Sequence, residues 1–313
     1  MAEHRIGRDV RTHRRWDIDL EPVLRVRPGD VVTAETDDFA GGQISRTSTA
    51  DQLLELDLDA IYPLAGPVAI EGAEPGDAIS IEILDFELPD WGWACIIPGL
   101  GLLPRGEFRE PYIRHFDLTG GVTAELCPGV QIPIEPFCGT MGVPGPGMHG
   151  VPIPVPHAGG GNIDNRHLPR GSTLYLPVSA PGGLFSVGDA HAAQGDGEVA
   201  ISGLECAMAT TYRVGLLKGA GIPAPQIRKA PGSLTARVDG GGWYATSGIE
   251  PDLMTAAQVA VRAMIEHLGR ERGLGREDAY MLCSLAGDLK ITEVVDAPNW
   301  MVSFFLPDAV FVS

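Results

Sequence analysis

Proline and glycine recur so often that long regular elements are excluded over most of the chain: its 313 residues include 41 glycines and 26 prolines. Proline fixes φ and removes a backbone donor, and glycine costs backbone entropy, so both break helices. A chain punctuated this way turns often and favours many short strands. The effect is strongest over residues 98–163, which carry PGLGLLPRGE and CGTMGVPGPGMHGVPIPVPHAGGGN. Aliphatic residues are interleaved there, so the stretch reads as long ordered loops and not as a disordered segment. Ordered loops on a rigid scaffold are where binding and catalytic groups gather.

Between the turns the pattern is that of strands. LRVRPGDVVTAET and GPVAIEGAEPGDAISIEILDFEL alternate with period two, placing Ile79, Ile81 and Ile83 on one face and Ser80, Glu82 and Leu84 on the other. That is a sheet with one buried face. Both segments turn on Pro-Gly-Asp, with a weaker copy at LPRGSTLYLPV. The aspartates there are expected to bond the turn backbone, a structural role. VAISGLECAMATTYRVGLL resumes as a strand. PDLMTAAQVAVRAMIEHLGRERG has the spacing of a long helix, through Val259, Met264, Ile265 and Leu268, with Gly273 at its end. EDAYMLCSLAGDL reads as a second, shorter helix. The fold class expected is mainly β, with β-sandwich-like sheets and long Pro/Gly-rich loops, and a smaller α/β part late in the chain. Residues 1–200 would form the β-rich part holding most of the site. Residues 201–313 would form a mixed strand and helix part completing one catalytic unit. No strand leads into G-x-G-x-x-G and no P-loop occurs, which disfavours nucleotide folds.

The net charge is −18, from 23 basic and 41 acidic side chains. Such a chain is not expected to seek nucleic acid or an anionic membrane without a basic patch, and RTHRR is too brief to be one. A small neutral or cationic substrate, or a bound cation, suits that field. Five scattered cysteines without a C-x-x-C pair argue against a structural zinc knot and for a reducing compartment. The first sixteen residues lack the apolar core of a signal peptide, and no apolar run is long enough to span a membrane. A cytoplasmic protein is expected.

Residues 186–198, SVGDAHAAQGDGE, place two aspartates, a glutamate, a glutamine and one histidine among small residues. Asp189 and His191 are two apart, so in extended chain they share a face and can share a cation. HAGGGNIDNRH adds His157, Asn162, Asp164 and His167, with glycines that let the chain crowd a ligand. TDDFAGGQI adds Asp37, Asp38 and Gln43. Glu205 interrupts an apolar strand, and a buried carboxylate needs a partner or a metal. Cys138, in PFCGTMG, is a candidate thiol nucleophile or simply a small core residue.

The runs GDAHAAQGDGE, HAGGGNIDNRHLPRGSTLYLPV, PFCGTMGV, the early RRWD and the late CSLAGDLKITEVVDAPNW together resemble the acetamidase/formamidase family, in order from about residue 13 to 307. The resemblance implies a β-rich cytoplasmic amidohydrolase. It would hydrolyse short aliphatic amides such as formamide and acetamide to the acid and ammonia, as a homo-oligomer, with a divalent metal, zinc or calcium. On that reading Asp189 and His191 are metal ligands, with Asp37 and His157 weaker candidates. Glu205 is the proton carrier with Asp164 second, while Asn162 and Gln194 hold the amide. The rivals are a thiol amidase using Cys138 and a non-catalytic β-sandwich binding protein stiffened by metal.

Overall fold

The structure is a computed structural model that describes residues 1–8, 10, 12–103, 106–229, 242–294 and 297–312. Two large sheets form the body. One has six strands, in the order Glu3–Ile6, Val31–Thr36, Met208–Leu217, Ala78–Glu87, Ser172–Pro177 and Gln226–Lys229. The other has nine. Its main path runs Gly160–Asn162, Phe137–Gly142, Phe185–Ala193, Leu204–Glu205, Trp91–Ile96 and Tyr112–Asp117, and Leu64–Ile70 branches from Phe185–Ala193.

The period-two pattern explains how the sheets pack. Along Ala78–Glu87, Ile79, Ile81 and Ile83 point inward and are buried, and Val31–Thr36 alternates in the same way. Each inward isoleucine contributes roughly 1.5–3 kcal/mol by leaving water. The two sheets share one apolar core, and Phe185 meets Tyr212 across it edge-on, with ring centroids 5.2 Å apart. Phe185–Ala193 is buried at every position, as a strand covered on both faces must be.

The Pro-Gly-Asp turns are built alike. The Asp30 carboxylate accepts the backbone N–H groups of Ala2 and Arg27, at 2.6 and 3.0 Å. The Asp77 carboxylate accepts those of Glu74 and Gly219, at 2.9 and 2.8 Å, and pairs with Lys218 at 2.6 Å. Both aspartates serve the turns.

One expectation is corrected in detail. The run from Val199 to Leu217 is not a single strand. Leu204–Glu205 belongs to the nine-stranded sheet and Met208–Leu217 to the six-stranded one, so the chain changes sheets at Cys206 and Ala207. Late in the chain, helices α1 (Leu253–Arg272) and α2 (Arg276–Ala286) accompany a three-stranded sheet ordered Trp243–Glu250, Trp300–Pro307, Asp288–Glu293. Asp252 caps α1 by accepting the Thr255 N–H at 2.8 Å, and Gly273 ends it at φ 67°. Helix α2 stops at Gly287, so Asp288 begins a strand instead of closing the helix. Val295 and Asp296 of the late family-like run lie outside the described residues. No helix among the described residues is long and apolar enough to cross a membrane.

Candidate active site

Four strands of the nine-stranded sheet bring the acidic groups together. Phe137–Gly142 pairs with Gly160–Asn162 on one side and Phe185–Ala193 on the other. Leu204–Glu205 then sets Glu205 opposite His191. The strand carrying Asp189 runs from Phe185 through Gly188 to Ala193. Asp189 takes a left-handed conformation within it, at φ 55°. A non-glycine residue there stores strain that the surrounding ladder must hold.

The result is a buried cluster of two carboxylates around one imidazole. His191 Nε2 lies 3.3 Å from Asp189 Oδ1 and 3.1 Å from Glu205 Oε1, and all three side chains are 3% exposed or less. Asp189 Oδ1, Glu205 Oε2 and Asp164 Oδ1 are buried without a hydrogen-bond donor among the described residues. Glu205 Oε1 accepts the Gly203 N–H at 3.1 Å. Asp164 is held from both ends. Its Oδ2 accepts from the Asn162 amide at 2.7 Å, and its backbone carbonyl accepts from Gln194 Nε2 at 2.9 Å. Thr140 donates to Asn162 Oδ1 in turn.

A cavity of about 300 Å³ opens onto this cluster, lined by Asn162, Asp164, Asp189, His191, Glu198 and Glu205, with Phe39, Tyr62 and Ile201 among its other walls. Gly139 packs directly against the Asp164, Asp189 and His191 side chains. A methyl group there would fall 2.8 Å from both Asp189 Oδ2 and His191 Cε1, and closer still to Asp164 Oδ1. Only glycine leaves the three side chains room to converge.

The electrostatics follow from burial. Desolvation, then the charge of Asp189, raises the Asp164 carboxyl to about 7. Desolvation also raises Glu205 to about 7, against the pull of His191. Burial lowers His191, but Glu205 and Asp189 outweigh it and hold the imidazole well above its ordinary value. Desolvation, with Asp164 nearby, raises Glu198 well above the carboxylate range. Without a cation, protons must neutralise this cluster. A divalent ion would do so more directly, and the donor set fits one. Ligands at about 2.0–2.2 Å around a tetrahedral ion stand roughly 3.3–3.6 Å from each other, close to the spacing His191 keeps with Asp189 and Glu205. Asp164, His191 and Glu198 form a second convergent set, sharing the histidine.

The other sequence candidates stand elsewhere. Asp37 pairs with Arg8 at 3.7 Å and lines a separate cleft, because alternation turns Asp38, not Asp37, inward to the Trp93 indole at 2.8 Å. His157 packs edge-on against Trp16 at 5.3 Å and accepts the Gly159 N–H, so it braces the glycine loop. His167 pairs with Asp196 at 3.0 Å. Gln194 is behind Asp164 and is not a cavity-lining residue. Asn162 lines the cavity, and its Nδ2 donates to Asp164 while its Oδ1 accepts from Thr140. Cys138 is buried 3.1 Å from the Thr210 hydroxyl, does not line the cavity, and is pushed up to about 12 by burial. A thiol so protonated is a poor nucleophile. Sequence reasoning passed over Glu198, the last acid of the run it singled out, and Tyr62, whose φ of 52° no sequence pattern announces.

The acetamidase/formamidase family model matches residues 2–149 and 146–313. The formamidase of Methylophilus methylotrophus is 27% identical, over 97% of this chain and 90% of that protein. Among solved structures, a gamma lactamase from Delftia acidovorans superposes with a TM-score of 0.91 at 25% identity, covering 99% of this chain and 94% of that one. An acetamidase from Bacillus halodurans gives a TM-score of 0.69 at 32% identity, covering 96% of each. A β-rich body with a buried carboxylate and imidazole site, similar over its length to these enzymes, is an amidohydrolase. The chain belongs to the acetamidase/formamidase family.

Proposed function

We propose that the protein hydrolyses short aliphatic carboxamides such as formamide and acetamide to the carboxylic acid and ammonia, with one divalent cation held by Asp189, His191 and Glu205. His191 Nε2 standing 3.3 Å from Asp189 Oδ1 and 3.1 Å from Glu205 Oε1, with all three ligand atoms within 4.8 Å of one another and beside carboxylate oxygens that lack donors, carries this reading. The mixed nitrogen and oxygen donors favour zinc over calcium, which takes six to eight oxygens at longer distance. When bound, such an ion lowers the pKa of water and polarises the amide oxygen.

The chain's own residues then do the rest. Asp189, His191 and Glu205 orient the centre, and their burial excludes bulk water. Asp164 moves the proton. It lines the cavity, its Oδ2 is fixed by Asn162, its Oδ1 has no donor among the described residues, and burial raises its carboxyl above the ordinary carboxylate range, which suits a group that takes and gives a proton. Water oxygen bonds to the carbonyl carbon and the C–N bond breaks. One proton from water passes through Asp164 to nitrogen, which leaves as ammonia. Glu205, first in line as proton carrier on sequence, is reassigned as a ligand because it stands against His191 at 3.1 Å. Five free cysteines fit a reducing, cytoplasmic setting. The test is ammonia release from formamide and acetamide by purified protein, before and after chelation, beside its metal content. Full activity in metal-free protein would reject the cation, and no release with metal restored would reject the amidase reading.

A further inference from the structure

The cavity over the cluster is larger than the smallest amides need. Formamide has three heavy atoms and displaces on the order of two to three waters, each occupying about 30 Å³ of liquid, whereas the cavity is about 300 Å³. A second cleft, of about 530 Å³, meets it at Glu198 and Ile201, which line both. Its apolar walls are Leu102, Leu103, Ile201 and, on α1, Met254, and its polar groups are Glu198 and Gln258. Gly99, Gly101 and Gly197 complete its lining. Gln258 of α1 donates to the Leu102 carbonyl at 3.1 Å, which ties the two walls together.

The junction is held under strain. Ile201 sits at φ 77° and Glu198 at φ 42°. A β-branched residue at positive φ is a true outlier, costly unless its surroundings fix it. Here they do. The Leu102 N–H donates to the Val199 carbonyl at 2.8 Å, Tyr280 donates to that same carbonyl, and Ser284 Oγ accepts the Ala200 N–H at 3.1 Å. Ile201 is 38% exposed and Met254, which lines the same cleft, 57% exposed. Apolar groups aligned beside a polar reaction centre are arranged to receive an apolar group.

We infer that the cleft past Ile201 is a substituent subsite, and that the preferred substrates are amides bearing an apolar chain of several carbons, on the carbonyl carbon or on the nitrogen. This rests on the amidase reading above and extends it. The test compares kcat/KM for two series on the same metal-loaded protein: primary amides from acetamide to hexanamide, and N-alkyl acetamides from methyl to butyl. In the series that enters the cleft, kcat/KM should rise about fourfold per methylene. Met254→Trp, at an exposed helical position, should abolish that rise and so reduce the ratio of longest to shortest substrate. Flat or falling values in both series, with acetamide still hydrolysed, would overturn the subsite and leave the amidase reading standing. A Met254→Trp protein that lost the same factor on every amide would also overturn it. Hydrolysis of no amide at all would refute the amidase reading and this inference with it.

Discussion

Gly139→Ala isolates the convergence of the site from its chemistry, because it alters none of the reacting groups. Gly139 lies within the strand Phe137–Gly142 and its φ is not in the left-handed region, so the backbone accepts alanine. The added methyl would stand 2.8 Å from Asp189 Oδ2 and from His191 Cε1, about 0.6 Å inside the ordinary 3.4 Å contact, with Asp164 Oδ1 nearer still. Neither Asp189 nor His191 can swing into solvent, since both are buried, so the shift is taken up within the cluster. A misplacement of 1 Å costs about a hundredfold in rate. Displacements somewhat smaller than that should lower kcat/KM roughly ten- to a hundredfold, and overpacking should cost about 1–3 kcal/mol of stability. Steady-state ammonia release gives the first quantity, denaturant unfolding the second, and elemental analysis reports loss of bound metal. A folded Gly139→Ala protein with unchanged kcat/KM and metal content would show that these side chains do not work as one centre.

Asp189→Asn keeps the shape of the ligand and removes its charge, so metal should be lost on dialysis and activity with it, while circular dichroism stays that of the wild type. Asp164→Asn should lower kcat by about 10²–10⁴-fold, the range for a proton carrier, with metal content retained; equal loss of metal would make Asp164 a ligand instead. Cys138→Ala should leave kcat/KM within about twofold of wild type, because the thiol is buried against Thr210 and away from the cavity; a loss of several orders of magnitude would restore the thiol mechanism. Asp77 is held at about 2 by Lys218 and by the Gly219 and Glu74 N–H groups. Its stabilisation is therefore complete above the unfolded value near ~4 and lost as pH falls through about 2. Asp77→Asn should flatten the acid limb of stability against pH between those values, and an unchanged limb would contradict the assignment.

Much of the scaffold was legible because its residues obey local rules. The isoleucines of Ala78–Glu87 alternate, Asp30 and Asp77 repeat one turn chemistry, and α1 carries a capping aspartate and a terminal glycine. The sheet change at Cys206 and Ala207 was hidden because both strands are apolar and continuous in sequence. At the site, the two-residue spacing of Asp189 and His191 and the isolation of Glu205 in an apolar run were readable. Which of Asp37 and Asp38 faces inward was not, since one step of register moves a side chain to the other face. Ile201 and Tyr62 could not be found from sequence because their left-handed backbone is imposed by distant contacts.

The most direct test of the account is anomalous X-ray scattering from crystals of the protein as purified, recorded on both sides of the absorption edge of the metal found by elemental analysis. The account predicts one strong peak at about 2.0–2.2 Å from His191 Nε2, Asp189 Oδ1 and Glu205 Oε1. An active enzyme whose maps show no peak among those atoms, with His191 bonded directly to the two carboxylates, would contradict it.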